Sequence, residues 1–152
     1  MATSVDQRIR PAGPADGPAI ERLLASLDLP TAGAGEQVDG FVVVDHGGAI
    51  VASAGLEIYG RGALLRSVAV DPDHQGRGLA RALVLRLLER ARREGVVRVF
   101  LLTTTAPEYF RRMGFETIAD SAVDAGVRAS KEFDDCCCAE AQIMRLTLGG
   151  TS

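Results

Sequence analysis

Glycine, arginine and glutamine crowd the segment His74-Gln75-Gly76-Arg77-Gly78-Leu79-Ala80, and their spacing suits the gripping of a phosphate. The first N–H groups of a helix lack internal partners and point outward, and the macrodipole adds partial positive charge there. Gly76 and Gly78 carry no β-carbon to hold a phosphate away from the backbone, and Arg77 and Arg81 place fixed charge beside it. The same residues also suit a tight turn with solvated arginines. The segment is not a P-loop, because the Lys and Ser/Thr are missing, and it does not meet the spacing of a dinucleotide fingerprint.

The elements around this loop are those an anion site needs. Leu65, Val68, Ala69 and Val70 form an apolar run that predicts a buried strand, and Asp71-Pro72-Asp73 stops it. From Gly78 the apolar spacing becomes Leu79, Leu83, Val84, Leu87, Leu88 and Ala91, which is helical, with arginines and Glu89 on the other face. Residues 65–94 therefore read as strand, glycine turn and amphipathic helix.

Gln75-Gly76-Arg77-Gly78-Leu79-Ala80 resembles Q/R-x-x-G-x-G/A, the acetyl-CoA signature of the GCN5-related N-acetyltransferases (GNAT). It follows a strand and precedes a helix, as that family requires, and the resemblance extends over roughly residues 8–148. It implies a GNAT-like α/β fold, a central twisted mixed sheet flanked by helices, and acetyl-CoA as co-substrate with no metal expected. It further implies that the backbone of Val68, Ala69 and Val70 meets the pantetheine arm. Gln75, Gly76, Arg77, Gly78, Leu79, Ala80 and Arg81 would then hold the pyrophosphate.

Acetyl transfer to an amine needs a neutral nitrogen, although an alkyl ammonium has a pKa of about 10, so the site must take up a proton. Glu57, at the end of the otherwise apolar Ser53-Ala54-Gly55-Leu56-Glu57-Ile58, is the candidate base; an exposed acid paired with Arg61 or Arg66 is the other reading. Arg66 interrupts Leu64-Leu65-Arg66-Ser67-Val68, on the face of Leu64, Val68 and Val70 unless a bulge intervenes. It suits either the carboxylate of an amino-acid substrate or a structural ion pair with Glu57. In many relatives a Tyr four residues before the Gly of the Gly-Phe pair protonates the CoA thiolate. Here that place is Phe110, and Tyr109 is the candidate acid, although about 100 degrees away around a helix. Thr103 stands where many relatives place an Asn that contacts CoA.

A narrower resemblance rests on Leu64-Leu65-Arg66-Ser67-Val68-Ala69-Val70, Leu101-Leu102-Thr103-Thr104-Thr105-Ala106 and Arg128-Ala129-Ser130-Lys131-Glu132-Phe133. These phrases look like the arsenic-resistance-associated N-acetyltransferases, related to enzymes that acetylate arsinothricin and phosphinothricin. That group often carries Leu-Cys-Pro in its tail, where this chain has Cys136-Cys137-Cys138. The expected function is direct acetyl transfer to a primary amine of a small molecule, such as an amino-acid-like toxin. Two alternatives stay open: a non-catalytic acyl-CoA-binding or arsenical-sensing module, and a protein N-acetyltransferase.

A chain of 152 residues, 47% hydrophobic, suggests one domain with a real core. The formal charge of -3, with basic and acidic residues mixed, argues against nucleic acid as a partner. No apolar run reaches the roughly 20 residues of a membrane helix, residues 1–10 lack the apolar segment of a secretion signal, and consecutive cysteines make a poor disulfide framework. A soluble cytoplasmic protein is expected, and homodimers are frequent among relatives.

The remaining pattern predicts strands over residues 8–10, 41–45, 49–58, 97–102 and 141–148, the second and third joined by His46-Gly47-Gly48. Helices are expected over residues 17–27, capped by Asp16, over 107–113, over 120–127 capped by Asp120, and over 130–134 capped by Ser130. A short helical turn is expected about residues 36–38.

Overall fold

The structure is a computed structural model in which residues 7–29, 38–103, 106–128 and 142–148 are described. Its strands are β1 (Gln7–Pro11), β2 (Phe41–His46), β3 (Ala49–Tyr59), β4 (Gly62–Val70), β5 (Arg98–Thr103), β6 (Glu116–Ile118) and β7 (Gln142–Thr147). Among the described residues the α-helices are α1 (Gly17–Ser26), α2 (Leu79–Arg93), α3 (Pro107–Arg112) and α4 (Ala125–Arg128). The strands hydrogen-bond in the order β1-β2-β3-β4-β5-β7-β6. β4 and β5 are parallel, pairing Gly62 with Arg98 and Leu64 with Phe100, whereas β1 with β2, β2 with β3, and β7 with both β5 and β6 are antiparallel. A parallel pair cannot be joined by a tight turn, and α2 is the crossover it requires. The result is the mixed sheet with helical connections that the GNAT resemblance implies. No helix among the described residues is long and apolar enough to cross a membrane.

By their contacts the residues group into two compact units, Met1–Leu56 with Ser67–Glu89, and Glu57–Arg66 with Arg90–Ser152. In the first, α1 contributes Ile20, Leu23 and Leu24, the i, i+3, i+4 stripe of an amphipathic helix, to a core with Val38, Phe41, Val43 and Ala69. Phe41 lies directly opposite Gly55 in the β2–β3 register, and its ring occupies the space a side chain there would need. The hairpin turn places Gly47 at φ 60° and Gly48 at φ 93°, a conformation that glycine adopts without steric cost. A short helical turn of this region lies at Val38–Gly40; residues 36 and 37, where one is also expected, lie outside the described residues.

Asp16 stands before α1 but does not cap it through its side chain. Its carboxylate is committed elsewhere, accepting from Arg10 at 2.8 Å and from the Gly13 N–H at 2.7 Å. Arg10 also reaches Asp45 at 3.1 Å. Arg10 first, then the Gly13 amide, hold the Asp16 carboxyl below the usual carboxylate range. The Gly48 N–H first, then Arg10, do the same for Asp45.

In the second unit, Leu64, Phe100, Val123 and Val127 form a core against which Tyr59, Ile118 and Ile143 pack. Helix α2 ends at Gly95, whose φ of 85° lets the Val96 N–H return to the Ala91 carbonyl at 3.0 Å. The helix expected over residues 120–127 is instead a 3-10 turn, Asp120–Ala122, followed by the four-residue α4. Between them Val123 is buried and the Asp124 carboxylate takes Arg98 of β5 in an ion pair at 3.2 Å, so tertiary contacts override the helical pattern. The helix expected over residues 130–134, Thr104, Thr105 and the three cysteines lie outside the described residues.

Candidate functional site

The glycine loop grows out of the end of β4 in the first unit. Ser67 has a φ of 58°, uncommon for a residue with a β-carbon, and it interrupts the alternation of the strand. The irregularity falls directly after Arg66. Ser53, fully buried on β3, donates its hydroxyl to the Ser67 carbonyl at 2.8 Å. Beyond it Ala69 packs into the core while Val68 and Val70 are half-buried, as alternation requires.

Asp71 then ends the strand and accepts the Asp73 N–H at 2.9 Å, capping the single 3-10 turn Pro72–His74. The Gln75 side chain reaches back to donate to the Val70 carbonyl at 3.0 Å, fastening the loop to the strand. Gly76 and Gly78 have φ of 82° and 77°, and a β-carbon at either would meet nothing within 4 Å. The glycines are thus required by backbone conformation, and the space before them is open.

The first intrahelical bond of α2 runs from the Ala82 N–H to the Gly78 carbonyl at 3.0 Å. The N–H groups of Leu79, Ala80 and Arg81 consequently precede the helical ladder, at the positive end of a 15-residue dipole. Gln75, Arg77 and Arg81 are exposed, Leu79 and Ala80 half-buried, and Leu83, Val84, Leu87, Leu88 and Ala91 are the buried stripe that anchors the helix. Every part of this loop fits a pyrophosphate: open backbone donors, two exposed guanidiniums and no side chain in the cradle.

The second unit assembles the other polar cluster. Glu57 is 8% exposed and Arg66 is 2% exposed, unusual burial for ionised side chains. They form an ion pair at 3.1 Å. The Tyr59 hydroxyl donates to the other carboxylate oxygen of Glu57 at 2.6 Å. Positions 57 and 59 share one face of β3, and a residue two further along a strand is the signal by which sequence could have found Tyr59. Gly126 allows α4 to approach Tyr59, since a β-carbon there would lie 3.1 Å from that of Tyr59. The buried Glu57 carboxylate thus carries a guanidinium on one oxygen and a phenol on the other.

Phe110, at the place where relatives carry a Tyr, is buried and packs edge-on against Phe115 with centroids 5.8 Å apart. Tyr109 is half-buried, its ring 5.2 Å from that of Phe110. Thr103 is buried and its Oγ1 accepts the Ala106 N–H at 3.1 Å, which leaves the hydroxyl hydrogen able to donate.

Comparison with known proteins bears on the family and the fold. The model of the acetyltransferase (GNAT) domain family matches residues 37–117. An amino-acid acetyltransferase of Mycobacterium tuberculosis is 34% identical over 139 residues, 85% of this chain and 76% of that protein. One from Aeromonas salmonicida is 30% identical over 105 residues, 68% of this chain but 22% of that protein, so this chain spans about a fifth of its length. Among solved structures, Rv2747 of Mycobacterium tuberculosis, in complex with CoA and NLQ, superposes with a TM-score of 0.76 at 29% identity, covering 93% of this chain and 99% of that one. N-acetylglutamate synthase of Neisseria gonorrhoeae, complexed with coenzyme A and N-acetyl-glutamate, gives 0.81 at 22% identity over 98% of this chain and 37% of that one, a likeness of fold.

Proposed function

This chain belongs to the GNAT acetyltransferases, and from that membership we propose that it moves the acetyl group of acetyl-CoA directly onto the primary amine of a small amino acid or amino-acid-like toxin of the arsinothricin or phosphinothricin type. The observation that carries the reading is the pair of left-handed glycines, Gly76 and Gly78, opening the N-terminus of α2 within Gln75-Gly76-Arg77-Gly78-Leu79-Ala80. The amino-acid acetyltransferase relatives support the acceptor class.

In this reading the backbone of Val68, Ala69 and Val70 binds the pantetheine arm, and the donors from Gly76 to Arg81 bind the pyrophosphate. Glu57 takes the proton of the acceptor ammonium, and Tyr59, already bonded to it, keeps the carboxylate oriented. The freed amine attacks the thioester carbon, the C–S bond breaks, and the thiolate is protonated by Tyr109. Backbone N–H groups near Val68 steady the oxyanion. Arg66, beside Glu57, holds the acidic group of the acceptor, so that base and anchor belong to one cluster. Thr103 substitutes for the usual Asn with its hydroxyl.

The test is CoA release from acetyl-CoA with phosphinothricin, arsinothricin, common amino acids and polyamines, alongside acetyl-CoA binding. Saturable turnover confined to acidic amino-acid acceptors is expected. Tight acetyl-CoA binding with no turnover on any acceptor refutes the proposal and favours a non-catalytic acyl-CoA-binding module, for which the buried Phe110 is the supporting observation. Turnover confined to peptide N-termini favours a protein acetyltransferase.

A further inference from the structure

The chain has two histidines, and both are in one place. His46 closes β2 and His74 closes the 3-10 turn Pro72–His74, 28 residues later, and their rings meet with centroids 5.1 Å apart and planes at 62°. Edge-on aromatic pairs commonly lie 4.5–7 Å apart, so the distance alone identifies nothing. The nitrogens do more. The Nδ1 atom of each ring is buried and has no hydrogen-bond partner among the described residues. Any imidazole nitrogen is either a donor or an acceptor, and a buried one without a partner is unfavourable; here two such nitrogens belong to rings in contact.

The neighbouring carboxylates do not fill that role. Asp45, next to His46, is engaged by the Gly48 N–H and Arg10, and Asp71 by the Asp73 N–H. Two imidazoles ligating one tetrahedral ion at about 2.1 Å would have ring centroids roughly 5 Å apart, which is the separation found here. Neutral imidazole suits Zn²⁺, Cu²⁺ and Ni²⁺.

We propose that His46 and His74 form a two-histidine site for a divalent transition ion of the zinc class. The ion links the end of β2 to the turn that leads into Gln75 and the glycine loop. Among the described residues no third His, Cys, Asp or Glu completes a cluster, so water fills the remaining positions and the ion exchanges readily. The proposal is independent of the acetyltransferase reading, because it concerns ion binding and not turnover.

The test uses the full chain, free of any affinity tag, with Cys136, Cys137 and Cys138 changed to Ser so that thiols do not compete. Zn²⁺ is titrated by calorimetry while imidazole proton signals are followed by NMR. One ion per chain is expected, with both histidine signals shifting together and affinity falling at least about tenfold in His46→Gln and in His74→Gln. Thermal melts establish that the variants are folded, and the NMR experiment needs no histidine substitution. Absence of saturable binding, histidine signals that do not move, or equal affinity in folded variants would each overturn the proposal.

Discussion

Gly78→Ala separates the two demands the phosphate loop makes on its sequence. The backbone demand is small. Gly78 sits at φ 77°, and a β-carbon there meets nothing within 4 Å, so the protein itself offers no clash. What remains is the cost of placing a side-chain-bearing residue in the left-handed region, roughly 1–2 kcal/mol. At about 2–4 °C per kcal/mol for a chain of this size, melting should fall by about 2–8 °C and the protein should stay folded. The pyrophosphate assignment makes the ligand demand larger, because a methyl group at position 78 narrows a ligand's approach to the N–H groups of Leu79, Ala80 and Arg81. Losing one charge-assisted hydrogen bond, worth about 1.5–3 kcal/mol, raises the acetyl-CoA Kd about 10- to 150-fold. Gly95→Ala is the matched control, with φ 85° and equally open space at the other end of α2. Calorimetric titration of acetyl-CoA into both variants decides. Both should lose similar stability, and Gly78→Ala alone should lose affinity. Unchanged affinity in Gly78→Ala removes the loop from the pyrophosphate assignment, and an equal loss in Gly95→Ala attributes the effect to general destabilisation.

Other expectations follow from the same contacts. Glu57→Gln keeps the volume and an acceptor for Tyr59 but removes the base, so kcat should fall while the acetyl-CoA KM is spared; steady-state kinetics at pH 7 showing an unaltered kcat would retire Glu57. Arg66→Ala should raise the acceptor KM more than that of acetyl-CoA, and equal losses for both substrates would restrict Arg66 to its ion pair with Glu57. Ser53→Ala removes the hydroxyl that donates to the Ser67 carbonyl and should cost about 0.5–1.5 kcal/mol in denaturant titration, whereas an unchanged midpoint would mean that this hydrogen bond adds nothing to stability. Asp16 and Asp45 have carboxyl groups lowered in the folded state, so their stabilisation is complete above the unfolded value near 3.8 and is lost as pH falls through the lower folded values. Arg10→Met should flatten the decline of melting temperature below that pH; an identical acid limb would exclude the Arg10 ion pairs as its source.

The division between what was and was not readable in the sequence follows the range of the causes. The glycine loop was readable because its reasons are local: Pro72 and Asp71 stop a strand, Gly76 and Gly78 supply left-handed backbone, and Leu83, Leu87 and Ala91 repeat at helical spacing within one segment. The Glu57–Arg66 pair was readable as one of two alternatives, since strand alternation gives faces but not which residues lie opposite. Tyr59 needed only a count of two along β3, yet its meaning depended on Gly126 bringing α4 against it. The positive φ of Ser67 had no local signature, because serine carries no preference for it comparable to that of glycine, and the carbonyl of Ser67 is met by Ser53 on another strand. The helix expected from Asp120 failed for the same reason in reverse: a locally adequate pattern yielded to Arg98, which takes Asp124 from 26 residues away. His46 and His74 complete the argument. His46 reads alone as part of a hairpin turn and His74 as the start of the glycine loop, and only the fold, by setting the end of β2 beside the turn after β4, makes them the pair on which the proposed ion site rests.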